Sequence, residues 1–152
     1  MQGGTRMART FPKILIDTRE QNPFEFRGLP TLRRGLKTGD YTLQGYQKVL
    51  CVERKSHSDL FGTLARRDNF ARFEKELARM EAFRWAFMVV EDTPEGVVNG
   101  FSYSNANGAL VLDKMVRVCC QHGVQPVFGG NKWGAERVTL AIFRAVMGYE
   151  NR

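Results

Sequence analysis

Lys48-Val-Leu-Cys-Val-Glu-Arg-Lys55 runs directly into Ser56-His-Ser-Asp-Leu60. In the first eight residues the side chains of Val49 and Cys51 leave one face of a strand, and those of Leu50 and Val52 leave the other. Apolar residues on both faces predict a strand covered on both sides, in the middle of an α/β sheet. The same alternation puts Glu53 and Lys55 on one face and Arg54 on the other. A carboxylate beside an ammonium at the end of an apolar strand is costly to bury unless it serves a purpose. Beyond Ser58 the period changes from two to 3.6. A short helix is predicted over 59–66, then a longer one, N-capped by Asp68, to about residue 83. Phe70, Phe73, Leu77 and Met80 form its core stripe, and Arg72, Lys75 and Arg79 share a neighbouring face.

Working outward, strands are predicted over 13–17, 32–36 and 40–43, with Pro23 and Pro30 bracketing a loop that carries Phe24 and Phe26. Downstream come a buried strand over 85–91, a turn at 93–96 and a helix over 109–121 with Leu112, Val116 and Cys119 on one side. A strand over 124–128, a Gly129-Gly130-Asn131 turn and a helix over 134–147 complete the chain. The expected organisation is a flexible tail over 1–12 and one α/β domain over 13–150, a central mixed sheet flanked by helices. The last helix is apolar around much of its circumference, suiting a buried position or a homodimer contact.

The chain has 152 residues, 43% hydrophobic and 26% charged, enough for one domain with a proper core and unlike disordered or disulfide-scaffold compositions. Residues 1–84 hold 17 basic and 10 acidic side chains and the remainder 6 of each, so the whole +7 excess lies in the first part. That asymmetry suggests a polyanionic partner, nucleic acid before anionic lipid. Neither a membrane-spanning run nor a secretory leader is expected, which suggests a cytoplasmic protein. Cys51, Cys119 and Cys120 read as small buried residues in a reducing compartment, not as a disulfide framework or zinc site.

Twelve residues separate Asp40 from Glu53, room for a turn and a return strand that sets the two side by side. Asp17 ends the first strand and Glu20 follows three residues later. Four carboxylates converging at strand ends would make a hard-oxygen site for Mg²⁺ or Mn²⁺. Phosphodiester hydrolysis uses such a site, with an ammonium such as Lys55 to orient a water and offset charge on the phosphorane. By itself the spacing also suits solvated ion pairs on an exposed strand.

The run Glu53-Arg54-Lys55-Ser56-His57-Ser58-Asp59-Leu60 carries an E-R-K-x-x-x-D-L signature. Gly39-Asp40-Tyr41 gives G-D-Y, and Asp17-Thr18-Arg19-Glu20 gives D-x-R-E. Arg72-Phe-Glu-Lys-Glu-Leu-Ala-Arg-Met80 gives R-F-x-x-Q-x-x-R-L with Glu76 for Gln and Met80 for Leu, and the strand before residue 92 ends in Val90-Glu91. In this order the motifs resemble the XPF-type structure-specific nucleases. The resemblance implies a restriction-endonuclease-like PD-(D/E)XK core that cleaves DNA with Mg²⁺ or Mn²⁺, on branched, flap or fork-like substrates. It implies Asp40 and Glu53 as metal ligands, Glu20 and Asp17 as supporting acids, the main-chain carbonyl of Arg54 in the metal shell and Lys55 as catalytic lysine. Arg54 would meet phosphate or an acid partner. Asp59 would orient basic residues or cap the next helix, and Arg19 and Tyr41 would reach substrate. Arg66 and Arg67, in an insertion, would add positive charge near the site, and Arg72 and Lys75 would follow the DNA backbone or form a solvated face with an Arg72–Glu76 pair. Helix-hairpin-helix and helicase modules are absent from this sequence, so a stand-alone bacterial or phage-like nuclease is expected. The alternative is a catalytically silent DNA-binding module; retention of Asp40, Glu53 and Lys55 favours the enzyme.

Four further features complete the reading. His57 is expected to face solvent. His122 should sit at a helix end, where a cation meets the negative end of the dipole. Residues 129–134 lack phosphate-loop spacing and are expected to form a turn. Trp133 is expected to pack, with stacking on an unpaired base as the alternative.

Overall fold

The computed structural model describes residues 10–152. Six strands, β1 (Ile14–Ile16), β2 (Thr31–Arg33), β3 (Tyr41–Leu43), β4 (Leu50–Lys55), β5 (Trp85–Val90) and β6 (Gln125–Phe128), form one sheet in the order β2-β1-β3-β4-β5-β6. β3 runs antiparallel to both β1 and β4, while β4, β5 and β6 are mutually parallel, so the sheet is mixed. Parallel neighbours need crossovers. Helices α1 (His57–Leu64) and α2 (Arg67–Met80) carry the chain from β4 to β5, and α3 (Pro94–Val98) and α4 (Gly108–Gln121) from β5 to β6. Helix α5 (Lys132–Glu150) covers the opposite face.

Two cores result, one on each face. Cys51, Met88 and Val90 pack with Leu60, Phe73, Leu77 and Met115 of the helices that cross between strands. Leu50, Val52 and Val89 pack with Ile14, Tyr41, Phe24 and Phe26 and with Phe143 and Val146 of α5. β4 is therefore buried on both sides as its sequence predicts, through Glu53, and only Arg54 and Lys55 at its end are partly exposed, on opposite faces.

Several expectations are corrected. Residues 1–9 of the predicted tail lie outside the described residues, and within the remainder of it Phe11 packs on the second core. The N-cap of α2 is the backbone of Arg66 without a side-chain bond; Asp68 lies within the first turn. Residues 93–96 start a helix instead of a turn, because the Thr93 hydroxyl accepts the Gly96 N–H and Pro94 sits where its missing N–H is not needed. On α4 the buried face is Val111, Met115, Val118 and Cys119, with Val116 exposed; the face is rotated from the predicted one. Cys120 is exposed. α5 buries one face through Ala135, Thr139, Ile142, Phe143 and Val146 and exposes Ala141, Arg144 and Ala145. Among the described residues no helix is long and apolar enough to cross a membrane.

Candidate active site

Gly39 lets the chain approach β4 closely. Its φ is +79°, and a Cβ there would lie 2.5 Å from the Cys51 Sγ and 3.2 Å from the Val52 carbonyl oxygen. Only glycine meets both conditions cheaply. The next residue is thereby locked: the Asp40 N–H donates to the Val52 carbonyl at 2.8 Å, and Asp40 Oδ2 accepts the Arg54 N–H at 2.8 Å. These two bonds straddle Glu53, and the twelve-residue return brings the two acids together.

Glu53 is 4% exposed. Its Oε1 lies 3.7 Å from Lys55 Nζ, while its Oε2 is buried with no hydrogen-bond partner among the described residues. Lys55 Nζ reaches the Thr63 Oγ1 of α1 at 3.5 Å and stands 4.9 Å from the Phe73 ring centre of α2. One turn beyond Phe73, Glu76 adds a third carboxylate whose charge acts on both Asp40 and Glu53. Burial pushes Asp40 up to about 7, the Glu20 and Glu76 charges adding and the Arg54 N–H and Lys55 opposing. Burial, then the Asp40 and Glu76 charges, hold Glu53 well above the carboxylate range against the pull of Lys55. An orphaned buried carboxylate oxygen beside two further acids is the donor set a hard divalent cation satisfies. Among the described residues no group of three or more acid, histidine or cysteine side chains is placed to hold a metal ion. Mg²⁺ takes one or two carboxylates and keeps waters, so it needs no such group.

The other predicted residues divide in two. Arg19 is at the mouth, 73% exposed in its side chain, and with Lys55, Arg72, Glu76 and Arg79 it lines an open cleft of about 330 Å³. It is held there by Asp17, whose Oδ2 accepts from Arg19 Nε at 2.7 Å and whose Oδ1 accepts the Leu36 N–H at 2.9 Å. Although burial raises the Asp17 pKa, the Leu36 N–H and the Arg19 guanidinium outweigh it and hold the carboxyl below its usual range. Asp17 thus positions an arginine and does not join Asp40 and Glu53.

Arg54 and Tyr41 both bond to Glu20, whose charge still reaches Asp40. Arg54, 12% exposed, donates to Glu20 at 3.0 Å, to the Asn22 carbonyl at 2.7 Å and to Glu91, and lies 4.3 Å over the Phe24 ring. Its guanidinium is committed to acid partners, not to phosphate. Tyr41 is buried, stacked on Phe24, and donates its hydroxyl to Glu20 at 2.8 Å, which removes it from substrate. Of the four expected carboxylates, Asp17 is drawn away to Arg19, Glu20 stays within electrostatic reach of Asp40, and Glu76 joins Asp40 and Glu53. Glu76 was visible only as a departure from a motif, at i+3 from a core phenylalanine, where a helix turns it back toward β4.

On α1, Ser56 is the cap, accepting the Asp59 N–H, so Asp59 contributes only a first-turn charge. Arg66, Arg67 and Lys75 are exposed but do not line the cleft; Arg72, Glu76 and Arg79 do. Arg72 bonds to Asn69 and forms no ion pair with Glu76. His57 is half-buried against Phe61, its ring nitrogens on the Asp92 carboxylate and the Gly100 carbonyl, because α3 and the loop after it close over α1. His122 is the C-cap of α4 and contacts Glu81.

The model of the ERCC4 domain family matches residues 16–130, the span holding every motif above. The chain belongs to that family. XPF from Aeropyrum pernix superposes on this ERCC4 domain with a TM-score of 0.70 at 20% identity, over 90% of this chain and 65% of that one. XPF from Aeropyrum pernix in complex with DNA gives 0.69 at 22% identity, over 90% and 66%. The fold is that of an XPF-type nuclease domain, and the chain spans about two thirds of the length of these relatives. No curated protein matches.

Proposed function

We propose that this ERCC4 domain hydrolyses DNA phosphodiester bonds with a divalent cation, Mg²⁺ or Mn²⁺, acting on branched or flapped DNA. The observation that carries the reading is the buried, partnerless Glu53 Oε2 in a group with Asp40, Glu76 and Lys55 that opens on a cation-lined cleft. Asp40 and Glu53, with Glu76 and the main-chain carbonyl of Arg54, would hold the ion, which supplies Lewis acidity to the scissile phosphate and to water. Lys55, fixed by Thr63 and the Phe73 face, is set to orient the attacking water and offset charge on the phosphorane. Arg19, Arg72 and Arg79 at the rim suit contact with the phosphates on either side. The DNA-bound relative supports a nucleic-acid substrate, and the branched-DNA preference follows from the family resemblance.

The test is a cleavage assay on duplex, single-stranded, flap and fork DNA with Mg²⁺, Mn²⁺ or EDTA, and with Glu53→Gln alongside. Metal-dependent cutting abolished by Glu53→Gln is expected. Cutting that survives EDTA or Glu53→Gln refutes the site. Binding without cutting under every metal makes the domain a DNA-holding module.

A further inference from the structure

Trp133, expected to pack, is 71% exposed. It lines a separate open cleft of about 640 Å³ between the loop at 25–29 and the start of α5, together with Phe26, Arg27, Lys132, Glu136 and Arg137. One wall is rigid. Phe26 has φ +48°, a left-handed conformation rare for a bulky residue. It is held there by donating its N–H to Glu136 Oε1 at 3.0 Å and by burying its ring against Phe24, Tyr41 and Phe143. Such conformations persist only where surrounding contacts over-determine them.

The charges of the cleft are divided unevenly. Glu25 is paired with Arg27 at 2.8 Å, and Glu136 accepts the Phe26 amide. Lys132 donates to the neutral Asn22 Oδ1 at 2.9 Å and lies within electrostatic reach of Glu25. Arg137 makes no ion pair among the described residues. Arg27, Lys132 and Arg137 against Glu25 and Glu136 leave the cleft a net charge of +1, with Lys132 and Arg137 in no direct ion pair among the described residues beside an exposed indole. Lys132 also lines a neighbouring cleft of about 400 Å³, shared with Arg19 and with the acids Glu20, Asp59 and Glu91, and Arg19 is in turn a rim residue of the candidate active-site cleft.

We propose that the Trp133 cleft is a single-strand subsite. An unpaired nucleotide stacks on the Trp133 indole while its phosphates meet Lys132 and Arg137. Stacking requires a free base face, which a duplex does not offer, and it is tolerant of sequence because every base has one. The inference rests on the reading of the domain as a nuclease on DNA, and it specifies which part of a flap or fork, the unpaired arm, leaves the catalytic cleft past Arg19.

Binding is measured in EDTA, with labelled oligothymidylate and with a short duplex as probes. Trp133→Ala is expected to lose about five- to a hundredfold in affinity for the single strand while duplex affinity stays within about twofold. Trp85 is the second tryptophan, its Nε1 donating to Glu150 at 2.7 Å on the far end of α5. Oligothymidylate should therefore still quench the fluorescence of Trp85→Phe and no longer quench that of Trp133→Phe. Unchanged single-strand affinity in Trp133→Ala overturns the proposal. So does sedimentation showing a wild-type dimer that Trp133→Ala dissolves, which assigns the patch to contact between copies. Loss of single-strand affinity in a protein that cuts nothing leaves the subsite standing and the nuclease reading refuted. Normal metal-dependent cutting with unchanged Trp133→Ala affinity refutes only the subsite.

Discussion

Glu53 carries two opposed roles, and the opposition is measurable. Its carboxyl and that of Asp40 lie in a group whose folded pKa values are raised, Asp40 to about 7, by burial first and then by their neighbours' charges. Groups of this kind ionise in the unfolded chain near pH 4 and resist ionisation in the folded one, so the stability they leave to the fold falls as pH rises from about 4 through about 7. Glu53→Gln, scanned in EDTA, is expected to melt higher than the wild type at pH 8, by about 2–4 °C for each kcal/mol relieved, and to match it near pH 5. Added Mn²⁺ should raise the wild-type melting temperature at pH 8 and leave Glu53→Gln unmoved. A difference independent of pH would show that Glu53 is an ordinary packed residue. Glu76 belongs to the same account. Glu76→Gln removes one charge from the group without removing volume, and titration calorimetry should read weaker Mn²⁺ binding by roughly tenfold, the order seen when a supporting group of a metal site is lost; unchanged affinity would take Glu76 out of the site.

At the scale of elements, the end of β4 is held by one side chain. Arg54 joins the loop at 20–22, the Tyr41 hydroxyl of β3 and the Glu91 that follows β5, and its guanidinium lies on the Phe24 ring. Removing it strands two mostly buried carboxylates. Arg54→Ala is therefore expected to cost about 3–5 kcal/mol in urea unfolding, and Arg54→Lys to recover little, because a single ammonium cannot reproduce a planar fork shared among several acceptors. A loss below about 1 kcal/mol would mean solvent already screens the cluster. The alternation along β4 made this face legible in the sequence, since period two puts Arg54 opposite Glu53 and Lys55. Its contents were not. Glu20 and Asp17 belong to loops, where no periodicity says which of several cations a carboxylate will meet, so both read as part of one cluster although Arg19 draws Asp17 away and Arg54 shares Glu20, whose charge still reaches Asp40. Helix faces show a milder form of the same limit: the α2 stripe was read correctly from Phe73, Leu77 and Met80, whereas on α4 apolar residues at nearly every position left the buried face to be chosen by β6 and α1.

For the whole molecule, the uneven distribution of charge becomes a statement about one surface. The mixed sheet and the two-sided cover of β4 follow from patterns already present in the chain, but net charge says nothing about where cations stand relative to a site. The structure separates them. Arg19, Arg72 and Arg79 rim the candidate active-site cleft, while Arg66, Arg67 and Lys75, equally basic and close in sequence, are exposed outside its lining. Each phosphate neutralised on duplex DNA contributes about −0.9 to the slope of log K against log salt, so three rim arginines predict a slope of about −3. Alanine at Arg72 and Arg79 together should flatten that slope by about 2, and alanine at Arg66 and Arg67 should leave it within experimental error of the wild type. Anisotropy titrations of duplex DNA from low to physiological salt, in EDTA so that no strand is cut, read both values. The reverse ranking would move the DNA path off the cleft and onto the start of α2, where a phosphate backbone would lie too far from Glu53 and Lys55 for this site to act on it.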